Sequence, residues 1–129
     1  MPCFALTFAM VVAVVVPSSA RAEPLPTEGP VRPTEVRKVY GDGMHNAFTA
    51  FVKWKGDYWL AFRHAKTHHT RDGELVVLRS SDAKEWKEAL RLNALPDDRD
   101  PQFLANEKRL FLFDPALEGK ELTTYVVHT

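Results

Sequence analysis

Three neighbouring histidines, His64, His68 and His69, are the first residues that could do chemistry in this 129-residue chain. A metal centre needs ligands that converge, usually with a carboxylate among them. His64 and His68 would converge on a helix, but the stretch reads as strand followed by loop, so a polar loop is expected. Neither a metal nor a cofactor is implied. A second group is Pro96-Asp97-Asp98-Arg99-Asp100-Pro101, whose acids and prolines already suffice for a turn entering a strand. A third is Ser80-Ser81-Asp82-Ala83-Lys84-Glu85-Trp86. A hydroxyl and a short carboxylate at this spacing bond the backbone of their own turn, and a Trp can seal the hairpin beneath. The rings of Phe48, Phe51, Trp54, Tyr58, Trp59 and Phe62 could stack on a sugar, but on paired strands they are expected to be core.

The elements that must position these groups read as strands. Residues 36–40 are a short candidate. Residues 47–54 and 58–63 are aromatic-rich runs around Lys55-Gly56-Asp57, which predicts a hairpin. Residues 74–79 follow the turn signal Asp72-Gly73. Between 83 and 92 the pattern conflicts with this trend: Asp82 to Glu85 resembles a capping box, and Ala83, Trp86 and Leu90 fall at helical spacing. Pattern alone predicts a helix there. A second hairpin is expected from 101–105 and 108–113 around Asn106-Glu107, with a further strand at 122–128. Tyr58-Trp59-Leu60-Ala61-Phe62 is echoed 51 residues later by Arg109-Leu110-Phe111-Leu112-Phe113, a spacing that suits a repeated blade-like unit.

The amino terminus predicts export. Residues 4–16 are an apolar run, followed by Ala20-Arg21-Ala22, a small-x-small triplet. This reads as a secretory signal spanning 1–22, cleaved after Ala22, with periplasmic or extracellular delivery. The run is shorter than the roughly 20 apolar residues that span a bilayer, so no membrane span is expected. Residues 23–35 hold four of the nine prolines and read as a linker, leaving one small domain at 36–129. The single cysteine, Cys3, lies in the signal, which excludes a disulfide framework. Charges balance at 17 basic and 17 acidic residues, giving no electrostatic footprint for nucleic acid. Nothing in the sequence sets the oligomeric state.

Ser80, Asp82 and Trp86, directly after a strand, resemble the Asp-box, Ser-x-Asp-x-Gly-x-Thr-Trp, of the sialidase (BNR-repeat) β-propellers, with Lys84 at the Gly position and a turn one residue shorter. The wider pattern is similar too: Ala61-Phe62-Arg63, a loop ending at Asp72, then Leu75-Val76-Val77-Leu78-Arg79-Ser80-Ser81-Asp82. The resemblance implies an all-β fold, the amino-terminal part of a propeller of six blades in full length. Blade one would occupy about 45–92 and a partial blade two about 99–129. It overrules the helix at 83–92 in favour of a strand. It also makes Ser80, Asp82 and Trp86 structural.

In that family the strand-two Arg binds sugar and the loop acid is the general acid/base. This implies Arg63 as substrate-binding and Asp72 as catalytic. Asp98-Arg99-Asp100-Pro101 resembles the Arg-Asp-Pro motif of fructosidase-type propeller glycosidases, in which Asp and Arg face the central pocket. That resemblance implies Arg99 for substrate contact and Asp100 for acid/base work or charge stabilisation. His45-Asn46 stands where sialidases carry Arg-Ile-Pro. An Arg fork suits the carboxylate of sialic acid, whereas His45 and Asn46 suit the hydroxyls of a neutral sugar. His68, on the mouth loop, is a further candidate for sugar contact. The reading is therefore a secreted carbohydrate-active protein resembling exo-sialidases, acting on a glycan or small sugar. Its nucleophile would lie on later blades, so the chain alone is expected to be catalytically incomplete. Two alternatives stay open: a non-catalytic glycan-binding or scaffold propeller, and an independent β-sandwich.

Overall fold

A computed structural model describes Glu35–Thr129 apart from Ala94; the expected signal at 1–22 and residues 23–34 of the linker lie outside the described residues. The described chain is all-β, with seven strands in two antiparallel sheets. β1 (His45–Trp54), β2 (Asp57–Ala65), β3 (Glu74–Ser80) and β4 (Lys87–Leu92) form a four-stranded meander in sequence order. β5 (Gln102–Ala105), β6 (Leu110–Glu118) and β7 (Glu121–His128) form a three-stranded one.

Local chemistry explains the turns. Lys55 and Gly56 carry φ of 49° and 89°, two positive values in succession, as a two-residue hairpin requires. They set the register Trp54↔Asp57, Lys53↔Tyr58, Val52↔Trp59. Asn106 closes β5–β6 by accepting hydrogen bonds at Oδ1 from the amides of Lys108 and Arg109, both 2.8 Å.

β3 is a continuous apolar run buried on both faces. Leu75 and Val77 pack with Ala50, Ala61 and Leu112 of the second sheet, backed by Trp59, Leu92 and Phe103. Val76 and Leu78 pack on the other side with Phe62, Leu60, Tyr40 and Trp86. The middle of the first sheet is thus covered on both sides, which fixes the ends of β2 and β3 where functional groups gather.

Three expectations need correction, and a fourth held against the local pattern. Residues 36–40 are irregular; Tyr40 serves instead by laying its ring on Phe62, centroids 4.8 Å apart. Residues 83–92 hold the strand that the resemblance implied, as β4, and not the helix of the spacing. Asp82 Oδ1 does accept the Lys84 and Glu85 amides, as a cap would, at 2.8 and 3.0 Å. Ala83 then takes a left-handed φ of 58°, and the open edge of β3 captures the next residues as β4. The aromatic stripe is divided: Phe62 is buried and Trp59 backs the core, but Phe51 is 59% and Phe48 37% exposed. Finally, β6 runs on through Pro115 to Glu118, because the segment before β5 supplies partners there: the Arg99 amide donates to Pro115 O (2.8 Å) and Asp98 bridges Ala116. No helix among the described residues is long and apolar enough to cross a membrane.

Candidate functional site

The two ends of the first sheet differ in chemistry. At the β3–β4 end the Ser80–Trp86 turn closes on itself. Ser80 Oγ donates to Asp82 Oδ1 (3.0 Å), the Asp82 amide donates to Ser80 Oγ (3.3 Å), and Trp86 Nε1 donates to Ala83 O (3.3 Å). These bonds, first those from the Glu85 and Lys84 amides, hold the Asp82 carboxyl below its usual range. The bonds to Asp82 Oδ1 all come from within its own turn, the local bonding that the sequence led us to expect.

At the opposite end the groups come from distant parts of the chain. Arg63, near the end of β2, has no exposed surface. Its Nη1 donates to Thr67 O (3.3 Å), and its Nη2 donates to Thr70 O (2.6 Å) and Asp97 Oδ1 (2.9 Å). One guanidinium therefore pins the loop at 66–73 to the strap at 97–99. Asp97, also without exposed surface, takes the Gly73 amide on Oδ1 (3.2 Å) and the Arg99 fork on Oδ2 (2.8 and 2.6 Å). Burial pushes its carboxyl up, but the bonds from Arg63 and Arg99 outweigh that and leave it below the usual value. A methyl on Gly73 would come within 2.5 Å of Arg63 Nε and Asp98 O, so only glycine fits this crossing.

The rim above this buried network is aromatic. β1 is irregular between Ala47 and Ala50, and Phe48 within the bulge has φ 57°, a strained value for an aromatic residue. Its ring stands 5.3 Å from that of His68 and 6.5 Å from that of His45; His45 and His68 are 5.3 Å apart, edge to face. His69 meets His68 at 4.7 Å. His45 Nε2 and Asn46 Oδ1 are buried without partners.

The sequence-derived candidates fall into three groups. His45 and His68 meet at this rim. Asp72 and Asp100 are exposed carboxylates on the loop and the strap; Asp72 lies 3.9 Å from Lys66 Nζ and is held below its usual range, chiefly by the Thr70 hydroxyl. Asp100 has φ 33°. Arg99 is partly exposed but gives its fork to Asp97. Arg63 does not fit direct substrate contact, because its guanidinium is wholly enclosed; it positions the loop instead. His64 leaves the histidine cluster altogether, lying between Asp42 (2.7 Å) and Glu74 (2.8 Å). Among the described residues no three His, Cys, Asp or Glu side chains are grouped to hold a metal ion.

Asp97, Asp98 and Asp114 were not singled out as site residues from the sequence, yet they are the buried acids here. The 51-residue repeat held one signal: it places Asp114, after Phe113, in register with Arg63, after Phe62. A cavity of about 460 Å³ between the sheets, lined by Trp59, Val77, Phe103, Leu112 and Val127 among others, has no carboxylate in its walls. No protein-family model matches the chain, and no curated protein matches it either.

Proposed function

We propose that this chain is an exported carbohydrate-active protein, built as the opening blades of a sialidase-like propeller, that holds a neutral sugar at the rim formed by His45, Phe48 and His68. The observation that carries the reading is Phe48. An aromatic side chain held outward on a strained backbone costs on the order of 1–3 kcal/mol, a cost that such sites bear where the geometry serves a ligand. Its ring offers an apolar platform for the C–H face of a pyranose, and the exposed His68 beside it carries ring nitrogens suited to a hydroxyl. The Ser80–Trp86 turn supports the propeller, since its bonding is that of an Asp-box. Asp72, on the loop that also carries His68, and Arg99 and Asp100, beside the buried Asp97, are the candidates for acid/base work and substrate contact.

Asp72 favours a second, non-catalytic reading in which the rim only binds, because a carboxyl held ionised lacks the proton that a general acid donates. The full chain is to be screened against a glycan array and a panel of fluorogenic glycosides that includes a sialoside. Binding of neutral glycans over sialosides, weakened at least about tenfold by Phe48→Ala, is expected. Turnover abolished by Asp72→Asn would select the enzyme reading. A folded chain that binds no glycan would overturn both.

A further inference from the structure

We propose that Asp98 and Asp114 form a carboxyl pair sharing one proton, and that this proton fastens the strap at 97–99 and, through Asp97 and Arg63, the loop at 66–73. Asp98 has no exposed surface and Asp114 has 3%. Both Asp98 oxygens and Asp114 Oδ1 are buried without any other partner. Asp98 is bridged to Ala116, and the Arg99 amide bonds Pro115 O, so Asp114, two residues before Ala116, is the diagonal neighbour of Asp98 on the same face. Two bare carboxylates cannot donate to one another, and an unpaired buried charge is costly. A single proton resolves both problems, as in other carboxyl pairs that cannot both ionise.

The surroundings offer no other remedy. Asp97 faces the pair from the strap and Glu74 from β3, and both add negative charge. The nearby arginines are committed: Arg63 and Arg99 to Asp97, and Arg91 to Glu74. Burial first, and Asp114 next, push the Asp98 carboxyl up to about 7; burial raises Asp114 as well. Unfolded Asp loses its proton near about 4. Between those values the folded state holds more protons than the unfolded one, so stability falls as pH rises and levels off above neutrality.

The pair lies among the bonds that hold the strap. The Asp98 amide donates to Gly73 O (2.9 Å), Arg99 to Pro115 O (2.8 Å), and the Leu117 amide to Asp97 O (2.9 Å). Loss of the proton would set two like charges among these bonds and loosen the strap and the loop together. This device stands whether or not the rim binds sugar.

Backbone hydrogen exchange of the full chain, corrected for intrinsic rates, at about pH 5 and about pH 8 tests it. Protection of the Gly73, Asp98 and Leu117 amides is expected to fall about tenfold or more at the higher pH. In Asp98→Asn the amide donates to Asp114 at every pH, so protection should stay level; Asp114→Asn should behave alike. Level protection in the wild type, or an equal fall in a variant, overturns the proposal. Should neither variant fold, the infrared band of a protonated carboxyl in the wild type at about pH 6 decides. Its presence supports the pair and its absence overturns it.

Discussion

At one end of the four-stranded sheet Asp82 gives its carboxylate to the amides of Lys84 and Glu85, its neighbours in sequence. At the other, Asp97 gives its own to Arg63, 34 residues earlier, and to Arg99. Both carboxylates are held below their usual range by hydrogen bonds, yet they do different work. The Asp82 turn closes a hairpin with bonds that stay among its own residues. The Asp97 network joins two sheets and a loop, and that loop carries the exposed His68, His69 and Asp72. An acid with local partners builds the turn; an acid with distant partners builds the mouth.

Substitutions can sharpen or break this contrast. The largest effect is expected from Arg63→Ala, which strips Asp97 of one buried partner and frees the Thr67 and Thr70 carbonyls: a loss of about 3–5 kcal/mol in chemical denaturation. A loss under about 1 kcal/mol would show that the network is not what joins loop to strap. Gly73→Ala is next, at about 1–3 kcal/mol, because the added methyl meets the Asp98 carbonyl and the Asp97 carboxylate as well as a flexible side chain. Ser80→Ala removes one partly buried bond in the Ser80–Trp86 turn and should cost about 1 kcal/mol, with ligand affinity unchanged. Lost affinity at normal stability would mean that this end of the sheet touches ligand after all. Phe48→Ala should have the smallest effect on stability, since the ring is exposed and its backbone strained, while having the largest on sugar binding.

This contrast also explains what the sequence made legible. The hairpins could be read because Lys55-Gly56 turns by its own φ angles and the Asn106 side chain bonds amides two and three residues on, and β3 because Leu75 to Leu78 is an unbroken apolar run. The Ser80–Trp86 turn was legible for the same local reason. The mouth was only half legible. The sequence marks His45 and His68 separately but not their contact, and composition could not separate buried Asp97 and Asp98 from exposed Asp100, because burial is decided by Arg63 and Asp114 far away in sequence. Helical spacing at 83–92 misled because a strand edge waiting beside it outweighed a marginal local preference.

The most direct test of the central claim is a nuclear magnetic resonance titration of the isotope-labelled full chain with the best-binding neutral sugar. Shifts are expected to concentrate at His45, Phe48, His68 and His69, with residues 80–86 unmoved. Shifts centred on residues 80–86, or spread evenly over both ends of the sheet, would contradict the assignment of one end to structure and the other to the ligand.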